Sequence, residues 1–343
     1  MPAERDEPEP VPEQTWDGLP VAGDPPHGSA IVVRRPGPAA TGEAPGGEYL
    51  LLHRAHRGPG YAGDWAWTSP SGARLPGEPV LGAARRELAE ETGIESAELR
   101  PCDLSGAWAV FVADLPSGTQ VRLDAEHDSF AWLTAAQAAQ RLLPEHVAAD
   151  FRRAAAIPPG RITFRPVAAA DLPGLLRWMR APHAARWFPG ADLAQLRRRY
   201  LPRIEGSSPV RVHVALIDGL AAGFLQHYPA PASPAPASPA PASTDDTSTD
   251  DTSPAAIGLD YLIGAEELTG RGLGAQLIWS YLLEVALPAH PDATRVVASP
   301  EVANHRSIRA LEKAGFRRSA PVAGETPDRP ELLCVLDRRR IFG

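Results

Sequence analysis

A chain of 343 residues has the length of two domains at about 150 residues each, which is enough for two separate hydrophobic cores. Its composition, 43% hydrophobic and 22% charged, excludes a fully disordered chain. The net charge of -8 excludes nucleic-acid binding through a broad basic surface, because such a surface supplies most of that affinity. An acidic protein that handles phosphates would need local cations, namely metal ions and a few arginines.

The two cysteines, Cys102 and Cys334, are far apart and belong to no CxxC or Cys/His cluster, which argues against a zinc site and a disulfide framework. The first ten residues, MPAERDEPEP, lack the basic start and apolar core of a signal peptide. No run reaches the roughly 18 apolar residues of a membrane span. We therefore expect a cytoplasmic protein without a membrane partner.

The first predicted domain spans residues 28–157, after a Pro/Glu-rich tail, residues 1–27, that we expect to be disordered. A helix is predicted between Pro79 and Gly93, and Thr134 is a candidate N-cap for a short helix. The remaining apolar runs predict strands at Ala30–Arg34, Tyr49–Arg54, Trp108–Asp114, Val121–Leu123 and Phe130–Leu133.

The second predicted domain spans residues 161–343 and alternates strands with helices. Its strands are predicted at Ile162–Pro166, Val210–Asp218, Ala222–Tyr228, Ile257–Ile263 and Arg295–Ser299. Its helices are predicted after Asp171, at Gly274–Ala286 and at Asn304–Ala314. The Pro/Ala/Ser/Asp/Thr-rich residues 229–254 form a low-complexity insertion inside this domain, which we predict to be disordered.

Three carboxylates, Glu87, Glu90 and Glu91, fall on one side of the predicted helix because they are related by three and four positions. Like charges at this spacing destabilise an ordinary helix. A hard cation removes the conflict, and Mg²⁺ also bridges carboxylates to phosphates. A solvated glutamate-rich face is the alternative for the bare ELAEE sequence.

The surrounding residues favour the metal site over that alternative. The chain from residue 72 to residue 94 follows the pattern G-x5-E-x7-R-E-U-x-E-E-x-G-U, where U is apolar, at every fixed position. This is the Nudix box, and residues 28–157 resemble Nudix hydrolases, which usually cleave a nucleoside diphosphate linked to another group. The resemblance implies an α/β/α sandwich with a mixed sheet.

The same resemblance implies the roles of the box residues. Glu87, Glu90 and Glu91 would bind Mg²⁺ or Mn²⁺, with Glu90 and Glu91 including the base that activates water. Glu78 and Arg86 would pair to brace the loop against the helix. Gly72 would permit the tight loop and Gly93 would end the helix. Outside the box, Glu126 is either a further metal ligand or a surface residue, and Trp65 and Trp67 either stack a base or support the loop.

A glycine-rich turn precedes a helix in the second domain, in the sequence TGRGLG of residues 269–274. Backbone N–H groups at such a turn bind phosphates, although the turn alone is a weak signal. Together with ITFRPVAAADLPGLLRWM and NHRSIRALEKAGFRR, it resembles the GNAT superfamily of N-acetyltransferases over residues 161–316. The resemblance is to the branch of aminoglycoside 6'-N-acetyltransferases and siderophore-type lysine acyltransferases, and it implies a mixed sheet flanked by helices.

In that family the turn holds the pyrophosphate of acetyl-CoA, so the resemblance assigns cofactor contacts to Thr269, Gly270, Arg271, Gly272, Leu273, Gly274, Asn304 and Ser307. Asp260 matches the acidic residue with which some relatives bind and deprotonate the amine, or is a strand residue with no catalytic part. The sequence departs from the pattern twice: Thr269 replaces the usual Gln or Arg, and Leu311 replaces a frequent Tyr acid.

The sequence thus predicts a two-domain protein of mixed α/β class and a bifunctional enzyme. A Mg²⁺-dependent phosphoanhydride hydrolase acts on a nucleoside diphosphate derivative, and an acetyl-CoA-dependent acyltransferase acts on a small-molecule amine. The alternative, favoured by the missing tyrosine, is a Nudix hydrolase with an acyl-CoA-binding sensor domain that has no catalytic activity.

Overall fold

The structure, a computed structural model, describes residues 14–15, 18–37, 47–230, 256–322, 324 and 328–343. Most of the predicted tail and most of the low-complexity insertion lie outside these residues. The chain divides into two compact units. The first comprises residues 1–99, 106–147 and 342–343, and the second comprises residues 100–105 and 148–341.

The N-terminal half of the chain contributes strands and helices in the following order. The strands are β1 Gly28–Pro36, β2 Gly47–Arg54, β3 Trp67–Thr68, β4 Ser71–Ala73, β5 Leu99–Asp103, β6 Trp108–Asp114 and β7 His127–Thr134. The helices are α1 Val80–Thr92, α2 Ala135–Arg141 and α3 Glu145–Ala155. The predicted strand at Val121–Leu123 is wrong: these residues are a loop in which the Arg122 N–H donates to the Thr92 carbonyl.

The C-terminal half continues the alternation. Its strands are β8 Ile162–Pro166, β9 Arg211–Ile217, β10 Leu220–Ala230, β11 Ala256–Ile263, β12 Arg295–Ala298, β13 Arg317–Val322 and β14 Glu331–Asp337. Its helices are α4 Leu172–Arg180, α5 Leu193–Ile204, α6 Leu273–Tyr281, α7 Leu287–Ala289, α8 His305–Lys313 and α9 Arg338–Ile341. The helix predicted at Gly274–Ala286 is α6 followed by a π-helical turn, Leu282–Ala286.

The first sheet is mixed, as predicted. Its order is β3-β2-β1-β6-β5, with β4 paired to β1 and β7 paired to β2. Strand β1 runs parallel to β6 and antiparallel to β2 and β4. Helix α1 packs on β1 and β4. The predicted apolar stripe of α1, Leu81, Ala84 and Leu88, is at most 2% exposed and joins the core.

The second sheet is also mixed, with the order β13-β14-β12-β11-β10-β9-β8. Strands β11 and β12 are parallel, and the other neighbours are antiparallel. Helices α4 and α5 cover part of it, and their shared core consists of Val167, Leu172, Leu175, Met179, Leu196, Tyr200, Val212, Val214 and Phe224. The expected class, two domains that each mix strands and helices around a mixed sheet, is confirmed.

The chain is ordered before the predicted start of the first domain. Ala22 is 1% exposed, and its N–H donates to the Arg74 carbonyl over 2.7 Å. The Arg74 guanidinium in turn donates to the carbonyl of Pro26. The prediction of disorder up to residue 27 is therefore wrong for residues 18–27, because these buried contacts hold them.

The low-complexity insertion begins later than predicted. Pro229 and Ala230, which we expected to belong to it, complete strand β10. Ala230 is the cross-strand partner of Ala256 in β11. Within the described ranges, no helix combines the length and the apolar character that are needed to cross a membrane.

Candidate active sites

The carboxylate helix has the boundaries that its sequence predicts. Helix α1 begins after Pro79 and ends at Gly93, whose φ of 69° is left-handed. Only glycine adopts that conformation without a steric cost, and its N–H closes the helix on the Ala89 carbonyl. The helix thereby carries Glu87, Glu90 and Glu91 on its last turns.

Gly72 makes room for the carboxyl group of Glu87. A methyl group on its α-carbon would overlap the Glu87 carboxyl carbon and both carboxyl oxygens. Gly72 lies in strand β4, paired with Ser29, rather than in a tight loop. Its predicted role is therefore corrected: the absence of a side chain lets an acidic group approach the strand.

Arg86 connects the carboxylates to the strand and loop before the helix. Its guanidinium donates to both oxygens of Glu78 over 2.9 and 3.0 Å and to the Ala73 carbonyl over 2.9 Å. Its Nη1 also donates to Glu87 over 2.7 Å and to Glu90 over 3.1 Å. The structure therefore brings Glu78 and Arg86 together, and it also makes Arg86 the counterion of two further carboxylates.

The charge states follow from this arrangement. Burial acts to raise the pKa of Glu78, but the hydrogen bonds from Arg86 and Leu75 hold that pKa below its usual value. The hydrogen bond to Glu78 outweighs burial and raises the pKa of Arg86. Burial raises the pKa of Glu87 even though Arg86 opposes the shift. Burial therefore outweighs the ion pair with Arg86 in setting the charge state of Glu87.

Glu91 is the most enclosed of the three acids, at 5% exposure. One carboxyl oxygen accepts the Ser71 N–H over 2.8 Å, and the other lies 3.8 Å from Nε2 of His127. Burial raises its pKa well above the usual value, and the Ser71 hydrogen bond only partly opposes this. A buried acid of this kind is stabilised in its ionised form when a cation binds beside it.

His127 is a residue that sequence reasoning missed, since it drew attention to the neighbouring Glu126. The Glu126 backbone pairs with Ala55, and its side chain is exposed. His127 is 5% exposed, and its Nδ1 lies 2.9 Å from Asp124. Its Nε2, which faces Glu91, has no hydrogen-bond partner among the described residues. Burial along β7 does not alternate, because only its first residue, His127, and Leu133 are buried, so no strand periodicity marked His127 in the sequence.

The three carboxylates do not form a free ligand cluster in this arrangement. Within the ranges that the structure describes, no three His, Cys, Asp or Glu side chains are grouped so that they could hold a metal ion. Glu87 and Glu90 are engaged by Arg86, Glu91 faces Ser71, and the Glu90 side chain is 57% exposed. The ligand atoms that these three acids offer are nonetheless carboxylate oxygens, which Mg²⁺ and Mn²⁺ prefer.

The two tryptophans before the carboxylate helix lie in different environments. Trp67 packs against the His53 ring at 4.9 Å and lies under the guanidinium of Arg141 at 4.8 Å. Trp65 is 43% exposed and has a left-handed φ of 63°. Trp67 therefore supports the strand, whereas the Trp65 ring is available to solvent.

The glycine turn of the second unit has the backbone that its sequence predicts. Gly270 and Gly272 have left-handed φ angles of 74° and 79°, and Gly272 caps the start of α6. Thr269 donates its hydroxyl proton to the Glu266 carbonyl, and Arg271 is exposed. The buried Leu273 and Gly274 open the helix, whose first N–H groups lack intrahelical acceptors.

Gly274 serves helix packing. A methyl group there would lie 3.1 Å from Cβ of Ala310, so the absence of a side chain allows α6 to approach α8 closely. Leu311, on the same helix α8, is fully buried. The position where relatives often carry a tyrosine acid is therefore a core position in this chain.

Asn304 and Ser307 have partners within the protein. The side chain of Asn304 caps α8 by accepting the Ser307 N–H over 3.2 Å. The hydroxyls of Ser307 and Tyr261 are 2.8 Å apart, and Tyr261 also lies 2.9 Å from the Ser307 carbonyl. Both side chains stay half-buried, so the cofactor contacts expected of them remain a prediction.

Asp260 stands exposed on β11, directly opposite Gln226 of β10. Its Oδ2 accepts a hydrogen bond from Gln226 Nε2 over 2.6 Å, and its Oδ1 lies 3.4 Å from the Tyr228 hydroxyl. Burial, together with the charge of Asp260, raises the pKa of Tyr228. The phenol therefore keeps its proton and faces the carboxylate as a donor.

Comparison with known proteins identifies both halves of the chain. A family model described as an acetyltransferase (GNAT) domain matches residues 167–323, and one described as a NUDIX domain matches residues 33–154. An aminoglycoside N(6')-acetyltransferase type 1 of Klebsiella pneumoniae is 31% identical over 182 residues, which are 52% of this chain and 84% of the relative. The chain belongs to the GNAT acetyltransferases and carries a NUDIX domain.

Two further similarities concern the GNAT half. A kanamycin resistance protein of Rhizobium radiobacter is 36% identical over 86 residues, which are 25% of this chain and 76% of the relative. A solved aminoglycoside acetyltransferase in complex with coenzyme A is 29% identical, with a TM-score of 0.42. That similarity covers 52% of this chain and 96% of the solved chain.

Proposed function

We propose that the NUDIX half hydrolyses a phosphoanhydride bond in a nucleoside diphosphate derivative, and that the GNAT half transfers an acetyl group from acetyl-CoA to an amine. The hydrolase proposal rests on two acids at the end of α1, the half-buried Glu87 and the buried Glu91. Glu87 and Glu91 have pKa values raised by burial, and Gly72 gives Glu87 access to the strand. Enclosed acids without enough compensating charge are typical of functional sites.

Glu87, Glu90 and Glu91 are the residues that would hold Mg²⁺ or Mn²⁺, and their side chains would have to move from their present positions, in which Arg86 engages two of them, to converge on one ion. Such an ion, when bound, neutralises phosphate charge and lowers the pKa of a coordinated water. The protein residues around them have separate tasks. Arg86 anchors Glu87 and Glu90 against Glu78, and the Ser71 N–H orients Glu91. His127, whose Nδ1 lies 2.9 Å from Asp124, places its Nε2 3.8 Å from the other oxygen of Glu91.

The hydrolase is tested with a panel of nucleoside diphosphate derivatives, with phosphate-containing products measured in Mg²⁺, in Mn²⁺ and in EDTA. We expect cleavage of at least one compound that requires the divalent ion. Turnover that is unaffected by EDTA, or no cleavage across the panel in either metal, would contradict the proposal.

For the GNAT half, Asp260 is the proposed base. It accepts a proton from the attacking amine while the new C–N bond forms and the C–S bond of the thioester breaks. The leaving thiolate takes its proton from water, because Leu311 offers no acid. The residues from Thr269 to Gly274 would receive the pyrophosphate of acetyl-CoA at the start of α6, and Asn304 and Ser307 would lie near its pantetheine arm.

The acceptor is proposed to be a cationic amine of the aminoglycoside type. The exposed carboxylate of Asp260 supports this, because an anion at the mouth of a site attracts an ammonium group. The similarity to aminoglycoside acetyltransferases agrees with it. Incubation with acetyl-CoA and kanamycin, with free thiol measured over time, is expected to give stoichiometric release of CoA and acetylated kanamycin.

The buried Leu311 favours a second candidate, an acyl-CoA sensor domain without catalytic activity. Calorimetry with acetyl-CoA separates the two. Binding without acetylation of any amine in a panel supports the sensor, and turnover eliminates it. Absence of both binding and turnover would contradict both candidates for this half.

A further inference from the structure

The Asp260 carboxylate is linked to the interior of its unit by two residues that the family resemblance does not assign. Gln226, on β10, is 4% exposed, and its Nε2 donates to Asp260 over 2.6 Å. Its Oε1 accepts a hydrogen bond from Nη1 of Arg203, also over 2.6 Å. Three side chains from α5, β10 and β11 thus form a continuous hydrogen-bonded row that ends at the proposed base.

The direction of this row follows from the donors and acceptors present. A guanidinium has only donors, so the amide atom that faces Arg203 must be the carbonyl oxygen of Gln226. The NH₂ group of that amide must then face Asp260, which accepts it as a carboxylate. Arg203 therefore fixes the orientation of Gln226, which in an isolated glutamine would be free to flip.

Arg203 is suited to this task by its own surroundings. It lies in the last turn of α5, half-buried, with its guanidinium 4.9 Å from the centre of the Tyr200 ring. Burial lowers the pKa of Arg203, although the group remains charged. A partly buried guanidinium needs hydrogen-bond acceptors, and Gln226 provides one. These contacts hold the Arg203 guanidinium in one position, and its hydrogen bond to Gln226 in turn fixes the amide that donates to Asp260.

We propose that Arg203 and Gln226 are positioning residues that orient Asp260 for deprotonation of the acceptor amine. This inference rests on the proposed acetyl transfer. Gln226 occupies Oδ2 through a short hydrogen bond of 2.6 Å, whereas the Tyr228 hydroxyl donates to Oδ1 over a long 3.4 Å. Oδ1 is therefore the more weakly engaged oxygen, and it is the one to which the amine proton is assigned.

The Gln226 bond also limits the freedom of the Asp260 carboxylate, because it holds Oδ2 over 2.6 Å. Fixing one oxygen restricts rotation of the group, so less entropy is lost when the amine binds. This effect concerns the rate of acetyl transfer and not the binding of acetyl-CoA.

The decisive variant is Gln226→Glu. It keeps the shape of the side chain and an acceptor for Arg203, but it replaces the donor to Asp260 with a second carboxylate oxygen. We expect kcat/KM for kanamycin to fall about tenfold to a hundredfold, with the KM for acetyl-CoA unchanged within about twofold. The acidic limb of the pH–rate profile should move to higher pH by about one unit, because like charges disfavour ionisation of Asp260.

Arg203 is tested by a matched pair of variants. Arg203→Met removes the donor and should lower kcat/KM for kanamycin about tenfold, whereas Arg203→Lys retains a donor and should recover part of the loss. Arg198→Met is the control, because Arg198 is an exposed arginine on the same helix. Its kinetics should equal those of the parent protein. A loss that Arg203→Lys does not relieve, or that Arg198→Met reproduces, would overturn the role of Arg203.

The possible results separate this inference from the proposed function. No acetylation by the parent protein would overturn acetyl transfer and this inference together. Acetylation by the parent with an unchanged rate and pH profile in Gln226→Glu would overturn the inference alone. If Gln226→Glu does not fold, Gln226→Met decides, since it removes the donor without adding charge. A parental rate in Gln226→Met overturns the inference, and a tenfold loss at an unchanged KM for acetyl-CoA supports it.

Discussion

The carboxylate helix and the Asp260 row build their polar groups in different ways. The carboxylate helix takes its polar groups from one short stretch, which contains Gly72, Glu78, Arg86, Glu87 and Glu91. Hydrogen bonds within this stretch join the helix to the strand and loop just before it. In the Asp260 row, Arg203, Gln226 and Asp260 come from a helix and two strands that are distant in sequence. Functional residues that lie in one segment can be recognised from their spacing in the sequence. Functional residues on different strands can be recognised only when the register of those strands is known.

The glycines of the two regions differ in the same sense. Gly72 admits an acidic group to a strand, so its missing side chain serves the site itself. Gly274 admits a neighbouring helix, so its missing side chain serves packing. A glycine in a motif therefore needs a structural contact before its role can be assigned.

The largest expected effect comes from a substitution that disables the carboxylate helix and leaves the Asp260 row intact. Glu91→Gln removes the buried charge that faces Ser71 and His127, and we expect metal-dependent hydrolysis to fall about a thousandfold. Acetyl-CoA binding and acetyl transfer should not change. Glu95→Gln, an exposed acid just after the same helix, is the control. Full hydrolysis in Glu91→Gln would show that the role of this helix is misread.

The next prediction concerns the stability in acid of strand β10, which carries Gln226, and compares it with that of the carboxylate helix. His227, on β10, is 1% exposed among His213, Tyr281 and His290, and burial lowers its pKa to about 4. The folded chain holds it neutral, whereas the unfolded chain protonates it near 6.5. The neutral His227 therefore makes its full contribution to the free energy of unfolding above pH 6.5. That contribution is lost as the pH falls toward 4, a change of roughly 3 kcal/mol.

Hydrogen exchange of β10 peptides between pH 7.5 and 4.5 measures this loss of stability. His227→Gln should flatten the dependence, and His305→Gln, at an exposed histidine, should leave it unchanged. The raised pKa values of Glu87 and Glu91 give the first unit the opposite pH dependence of stability. Their contribution to the free energy of unfolding is complete below about pH 4.5 and is lost as the pH rises through the folded-state pKa. Equal slopes for parent and His227→Gln would contradict the assignment.

A third prediction sharpens the contrast between the glycines. Gly72→Ala places a methyl group against the Glu87 carboxyl group and should displace it, which lowers hydrolysis about tenfold to a hundredfold. Gly118→Ala is the control, because a methyl group there meets no atom within 4 Å. Product formation at saturating Mg²⁺ is the measurement. Equal rates for Gly72→Ala and the parent would mean that Glu87 need not approach the strand.

The smallest effect concerns a motif residue in the GNAT half. Asn304→Ala removes the cap of α8 and should lower the free energy of unfolding by about 1 kcal/mol, whereas Asn304→Asp keeps the cap and the stability. Thermal unfolding measures the stability, and calorimetry measures acetyl-CoA binding. If Asn304 also contacts the cofactor, Asn304→Ala weakens binding in the folded protein. An unchanged melting temperature would contradict the capping role.

Much of the fold could be predicted from local signals. The strands Ile162–Pro166 and Trp108–Asp114 and the boundaries of α1 follow from apolar runs, Pro79 and Gly93. Helix α5 was missed, because its sequence is rich in arginine, contains Pro202 and buries only Leu196 and Tyr200. Its existence depends on the apolar surface that it covers, which is a tertiary property.

The candidate sites divide along the same line. The Nudix box residues were identified because their spacing carries the information. Three residues were missed because each becomes relevant only through a partner on another element. The partner is Glu91 for His127, Asp260 for Gln226, and Gln226 for Arg203. Val121–Leu123 was predicted as a strand from its short apolar run, but its Arg122 N–H donates to the Thr92 carbonyl at the end of α1. Pairing partners, rather than pattern, decide such short segments.

The pairing of Ala230 with Ala256 has a practical consequence for protein engineering. The two residues that flank residues 231–255 are cross-strand neighbours, so an opening of the chain within that segment would create new termini beside each other. Gln226 and Asp260 lie four positions further along the same ladder and would keep their register. This part of the sequence is therefore a natural place for circular permutation or for insertion of a reporter domain.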